Sequence, residues 1–157
     1  MIGNWLAAAL LAVALNAGAQ APAPAPAGNW RGYDETADAG ADIERARAQA
    51  AAAGKRVLVV FGANWCGDCR VLDTSMKQGR LKALLDGRFV VAKVDVGRFD
   101  RNVDIAQRYG VPLKKGIPTV AVLADDGRAS FVTSGGELAD ARTMGEDALV
   151  AFFDRPF

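Results

Sequence analysis

Two residues of this chain carry thiol chemistry, Cys66 and Cys69, and both lie in the stretch VLVVFGANWCGDCRVLD, residues 57–73. Thiols at this spacing can staple a chain, clamp a soft metal or form a redox couple. Closing so short a loop removes little entropy from the unfolded chain, so a bridge between them is a poor stabiliser. The chain has no histidine, which excludes Ser/His and Cys/His triads and imidazole metal ligands. Arg70 follows Cys69 where haem attachment requires histidine. Two thiolates alone could still hold Cu(I), and zinc only between chains. A redox couple and a two-thiol copper module therefore stay open.

The elements around the pair set the chemistry of each sulfur. The run RVLVVFGA, residues 56–63, is a continuous apolar and β-branched stretch, the pattern of a strand covered on both faces. Helical spacing begins at about Cys66 and runs through Val71, Leu72 and Met76. Cys66 is then expected at a helix N-terminus, where unpaired N–H groups and the helix dipole favour an anion. Such positions bring a thiol from a pKa of about 8.5 to about 7 or below, which corresponds to about 2 kcal/mol. Cys66, exposed at the first position, is the expected nucleophile. Cys69, one turn in and more shielded, is expected to resolve the mixed disulfide that Cys66 forms.

The remaining elements frame a single domain. Residues 42–53 predict a helix capped by Asp42, with Ile43, Ala46, Ala50 and Ala53 on one face and Gly54 beyond its end. Helical spacing resumes through Leu81, Leu84 and Leu85 as far as Gly87; residues 88–97 predict a second strand, and residues 103–110 a short helix. Two strands joined at Asp126-Gly127 form a hairpin, and a last helix turns Leu149, Phe152 and Phe153 inward. The order helix, strand, helix, strand, helix, strand, strand, helix requires a sheet with helices on both sides. At 157 residues the chain has room for one ordinary core. A net charge of +1 without a basic block gives no footing for nucleic acid or an anionic membrane surface.

Residues 1–19 read as a secretory signal: an apolar run from Trp5 to Leu15, too short to span a bilayer, ends in Ala17-Gly18-Ala19 with cleavage expected after Ala19. The leading segment carries no Lys or Arg, so an uncleaved anchor is the alternative. Residues 20–29, rich in alternating Ala and Pro, predict an extended spacer, and residues 30–157 the folded domain. An exported, periplasmic chain works in an oxidising compartment.

The core Trp65-Cys66-Gly67-Asp68-Cys69, followed by Gly116-Ile117-Pro118-Thr119 and a hairpin strand, resembles the thioredoxin superfamily. Within it the chain is similar to exported thioredoxin-like domains and to the soluble C-terminal domain of transmembrane disulfide reductases. The resemblance implies an α/β thioredoxin-like fold, a central mixed β-sheet flanked by helices on both faces. It also implies that Pro118 is cis, faces the cysteines and shields them from metal, while the backbone of Ile117 is presented to a substrate chain. Without the resemblance, Pro118 reads as an ordinary strand-start proline.

Three positions depart from the family pattern. Val60 stands where the family has a buried acid, leaving proton transfer from Cys69 to water or another group. Lys93 matches the family's strand lysine but is expected to lack that acidic partner. Asp68 stands where the best-known members have proline; its carboxylate either repels the Cys66 thiolate, raising its pKa and making the couple more reducing, or serves only the first turn of the helix. Trp65 packs over the rim of the site or caps the core. Lys114 and Lys115 read as solvated loop lysines that could also offset Asp68, and residues 133–144 as a surface elaboration without chemistry.

The function this implies is an exported thiol-disulfide oxidoreductase without cofactor or metal, acting as a monomer on protein disulfides and drawing electrons from a membrane donor. Reduction is favoured over oxidation. Isomerisation is disfavoured because no length remains for a dimerisation domain.

Overall fold

The computed structural model describes residues 30–157. The signal and spacer read from residues 1–29 lie outside the described residues. Nine helices and strands are described, α1 (Ala39–Ala53), β1 (Arg56–Gly62), α2 (Gly67–Ser75), α3 (Gly79–Arg88), β2 (Phe89–Asp95), α4 (Val103–Arg108), β3 (Thr119–Leu123), β4 (Ala129–Val132) and α5 (Glu146–Phe153), with 3-10 turns at Leu113–Lys115 and Ala141–Thr143. The strands form one mixed sheet in the order β2-β1-β3-β4. β1 pairs parallel with β2 and antiparallel with β3, and β3 pairs antiparallel with β4.

β1 is buried from Val57 to Gly62 because both of its faces are covered. Val57, Val59 and Phe61 pack with Ile43, Ala46 and Ala50 of α1 and with Ile105 and Ala106 of α4. Leu58 and Val60 pack on the other face with Leu72 and Met76 of α2, Leu81 and Leu85 of α3, and Leu149 and Phe153 of α5. A strand between two apolar layers needs no polar alternation, hence the unbroken apolar run. This is the α/β arrangement expected from the sequence, a central mixed sheet flanked by helices on both faces.

Three boundaries differ from the reading by periodicity. α1 begins at Ala39, capped by Asp38, whose carboxylate accepts the Ala41 N–H at 2.9 Å; Asp42 lies in the first turn, where its charge suits the dipole. Ala53 is exposed, so the buried stripe of α1 stops at Ala50. The helical stretch after the cysteines is two helices. Gln78 is extended, Gly79 has φ +59°, and the Glu146 carboxylate of α5 fills the space a Cβ at Gly79 would need. That carboxylate accepts the Arg80 N–H at 2.7 Å, so the break is set by a partner far along the chain. α3 then continues through Gly87 to Arg88.

Candidate active site

The buried β1 delivers the chain to a short loop, Ala63–Trp65, and α2 starts immediately after Cys66, which is its N-cap. The Cys66 backbone is extended, φ −81° and ψ 114°, and its sulfur accepts the Cys69 N–H at 3.1 Å. One orphan donor of the first helical turn is thus satisfied by sulfur, the contact that favours a thiolate there. Cys66 and Cys69 are joined in a disulfide with a Cα–Cα distance of 5.2 Å. Cys69 has no exposure and Cys66 only 5%. The expectation of an exposed Cys66 is therefore corrected: its sulfur sits beneath the loop before β3, 3.5 Å from the Ile117 carbonyl oxygen.

The Ile117–Pro118 peptide bond is cis, and both residues are buried. Trp65 is half exposed and donates its indole N–H to the Gly97 carbonyl at 2.7 Å. It lies on the rim rather than over the core. Phe99, missed in the sequence, stands edge-on to it at 5.9 Å between ring centroids, and the Arg98 guanidinium lies 5.8 Å from the Trp65 ring. The two exposed aromatics make an apolar shoulder beside the sulfur pair.

Asp68 is not a free carboxylate aimed at the thiol. It is buried, and its Oδ1 accepts both the backbone N–H and the Nε–H of Arg142, at 2.9 and 3.1 Å, while its Oδ2 accepts the Nη2–H at 2.8 Å. A planar guanidinium engaging both carboxylate oxygens offsets the charge that the sequence reading set against Cys66. Arg142 belongs to the 133–144 segment, so the view of that segment as chemically idle is also corrected. Leu138 and Ala141 bury its middle in the core on the α2 side of the sheet. Gly136, at φ +83°, packs on the Lys115 carbonyl, and Ala139 packs against Gly116 just before the cis bond. The segment straps the proline loop to the cysteine helix. Lys114 and Lys115 are exposed, as expected of solvated loop lysines, and the cation paired with Asp68 is Arg142.

Lys93 also has a partner. Val60 lies in the apolar core, and the acid comes instead from α2: Lys93 Nζ donates to Asp73 Oδ1 and to the Gly32 carbonyl, the latter at 2.6 Å. Asp73 is buried and also accepts from Lys77 at 2.7 Å and from the Trp30 indole N–H at 3.1 Å. Burial opposes its ionisation, but the hydrogen bonds and charges of Lys77 and Lys93 outweigh that and hold its carboxyl below the usual carboxylate range. Burial pulls the Lys93 ammonium below its ordinary value, with Asp73 only partly offsetting it. Asp73 follows Cys69 by one helical turn on the same face, a spacing visible in the sequence that could have flagged it. Gly67 is exposed, with Arg142 Nη1 4.0 Å from where its Cβ would stand. Among the described residues no group of three or more Cys, Asp or Glu is placed to hold a metal ion.

Known proteins carry the same framework. A crystal structure of a disulphide isomerase from Xylella fastidiosa Temecula1 superposes with a TM-score of 0.74 at 47% identity, covering 77% of this chain and 92% of that one. A thioredoxin of Chlorobaculum thiosulfatiphilum is 38% identical over 69 residues, 44% of this chain and 56% of that protein. Thioredoxin 1 of Chlorobaculum tepidum is 35% identical over 79 residues, 50% of this chain and 69% of that protein. The match thus spans about half the length of the first of these thioredoxins. A family model described as thioredoxin-like matches residues 38–124. Because that span runs from the cap of α1 through both cysteines and the cis-proline to the end of β3, the chain belongs to the thioredoxin-like family.

Proposed function

We propose that this chain is an exported thiol-disulfide oxidoreductase that reduces protein disulfides. The observation that carries the reading is Cys66 as N-cap of α2, its sulfur accepting the Cys69 N–H, facing the Ile117 carbonyl and joined to Cys69. In the dithiol form the Cys66 thiolate attacks one sulfur of a substrate disulfide; the substrate's S–S bond breaks, and the departing sulfur takes the electron pair and a proton. Cys69 then loses its proton and attacks Cys66 Sγ, the second substrate sulfur leaves and is protonated, and the protein is left as the disulfide. The substrate gains two electrons and two protons. Trp65 and Phe99 offer apolar contact to the substrate chain.

Two features favour reduction over oxidation. Cys66 is nearly buried, and a carbonyl oxygen stands 3.5 Å from its sulfur. Both oppose a thiolate, against the helix dipole, and destabilise the reduced form, so the pair gives up electrons readily. Asp68, offset by Arg142, no longer supports this direction. Export rests on residues 1–19, and a periplasmic reductase draws its electrons from a membrane dithiol donor.

Cys69→Ser expressed in cells is expected to accumulate mixed disulfides at Cys66, and a well-folded variant that traps nothing overturns exchange as the task. Equilibration with a glutathione couple is expected to place the potential near the reducing end, about −270 mV, whereas a value near about −120 mV overturns reduction in favour of oxidation. N-terminal sequencing of the exported protein is expected to begin at Gln20; an intact Met1 in the membrane fraction means an anchor.

A second reading, isomerisation, is favoured by the Xylella disulphide isomerase match at 47% identity over 92% of that chain. Isomerisation can proceed from Cys66 alone, because the substrate's own thiol releases the mixed disulfide. Retention of scrambled-disulfide repair by Cys69→Ser would favour this reading; its loss favours reduction.

A further inference from the structure

Beside Cys69 the Tyr33 phenol presses against β1 at Gly62, where there is no room for a side chain. A Cβ at Gly62 would collide with the Tyr33 hydroxyl and stand 3.0 Å from Cys69 Sγ. The phenol oxygen and the sulfur therefore converge on the same point of β1, and the missing side chain of Gly62 is what lets them do so. Tyr33 is held there by the loop that precedes the cysteines: Asn64 Oδ1 accepts its N–H at 3.0 Å, and Asn64 Nδ2 donates to its carbonyl at 2.9 Å. The neighbouring Gly32 carbonyl is fixed by Lys93, whose Nζ also lies 4.8 Å from the centroid of the Tyr33 ring. Tyr33 is 3% exposed.

We infer that Tyr33 is a positioning residue for the resolving step: its hydroxyl donates a hydrogen bond to the Cys69 thiolate as that sulfur prepares to attack the mixed disulfide at Cys66. The inference rests on the exchange reading above. It offers Cys69 a polar group in place of the acid that the family resemblance leads one to expect at Val60, and it makes the Trp30–Tyr33 segment part of the site. In the step itself the Cys69 proton leaves to solvent, the Cys69–Cys66 bond forms, and the bond from Cys66 to the substrate breaks with its electron pair on the substrate sulfur. Tyr33 keeps its own proton throughout. Burial, together with the charges of Asp73 and Asp95, pushes the phenol well above its ordinary value, so it serves as a donor and not as a base. The charged groups around it are Asp73 from α2, itself paired with Lys77, and Lys93 and Asp95 from β2, the latter near Arg101; β1 brings Gly62, which carries no charge.

Reduced full-length protein treated with Ellman's reagent reads the two sulfurs separately. The first release of thionitrobenzoate reports attack by Cys66, and the second reports resolution by Cys69. Tyr33→Phe, which keeps the ring and removes only the hydroxyl, is expected to leave the first phase and the melting temperature unchanged. It should slow the second phase about tenfold at neutral pH, the loss of one charge-assisted hydrogen bond, and raise its pH midpoint by about one unit. Gly62→Ala, whose methyl would overlap the phenol, is expected to slow the second phase as well, but with a lowered melting temperature from the clash, so Tyr33→Phe is the decisive variant. A second phase in Tyr33→Phe that follows wild type across the pH range overturns the inference and leaves exchange standing. The Cys69 thiolate can also be titrated by ultraviolet absorbance in the Cys66→Ser chain, with and without Tyr33→Phe. That pair requires no exchange, so an upward shift with the substitution upholds the inference even if Cys66 proves inert, and no shift overturns it.

Discussion

The two sulfurs share one helical turn, yet their surroundings come from different parts of the chain. Around Cys66 the structure places backbone: the Cys69 N–H, the Ile117 carbonyl and the cis-proline loop, with the one nearby ion pair, Asp68–Arg142, closed on itself. Beside Cys69 it places a side chain from the N-terminal segment, Tyr33, itself flanked by Asp73 of α2 and Lys93 of β2. Backbone fixes geometry and tolerates substitution, whereas buried polar side chains act through charge and hydrogen bonding that one change can remove. The surroundings of Cys66 are thus set chiefly by the backbone, and those of Cys69 by particular side chains.

The largest break in that comparison is expected from Asp73→Ala. It leaves Lys93, mostly buried, without its carboxylate and strips the Trp30 N–H of its acceptor. A loss of about 3 kcal/mol by denaturant unfolding is expected, the low end for a buried pair because the lysine keeps some exposure. The Cys66 phase of thiol exchange is expected to stay as in wild type. Should that phase slow as much as the Cys69 phase, the two surroundings are not separable.

Arg142→Ala tests the other side. It leaves the buried Asp68 carboxylate without the guanidinium and is expected to cost about 2 kcal/mol. The exposed carboxylate charge should raise the Cys66 thiol midpoint, read from the pH dependence of alkylation, while Cys69 resolution is unchanged. Asp68→Asn in the same chain should bring the Cys66 midpoint back. An Arg142→Ala protein with an unmoved Cys66 midpoint would show that the strap is mechanical only.

Acid sharpens the contrast. The Asp73 carboxyl is held below its unfolded value of about 3.9, so the stability it contributes is complete above that value and is lost as pH falls through the lower folded one. Asp73→Asn is expected to flatten the loss of stability below about pH 4. An unchanged acid limb would place the sensitivity elsewhere. The smallest effect on stability is expected from Trp65→Ala, within about 0.5 kcal/mol because the ring is half exposed. Reduction of a polypeptide disulfide should still fall several-fold, with little change toward a small disulfide reagent. Equal losses on both would deny the aromatic shoulder a part in binding the substrate chain.

Much of the framework was legible by inspection. The apolar run of β1, the helix start at Cys66, the hairpin at Asp126-Gly127 and the inward Leu149 and Phe153 all follow from periodicity or turn chemistry confined to a few neighbouring residues. The errors share a cause. The position on β1 that would give Lys93 an acid holds Val60, yet Asp73 reaches it from α2, 20 residues away in the chain. Asp68 stands beside Cys66 in the sequence, but its partner lies 74 residues downstream. The split between α2 and α3 depends on Glu146, 66 residues past Arg80.

The sequence by itself determined which residues could do the chemistry, the helix that presents them and the order of the elements, because those depend on spacing within one or two turns of chain. The tertiary structure decided the burial of each sulfur and the polar and charged groups that stand near it. Arg142, Asp73 and Tyr33 reach the site only when separate elements dock, and the direction in which a docked side chain points is set by packing across the whole core, which no local period encodes.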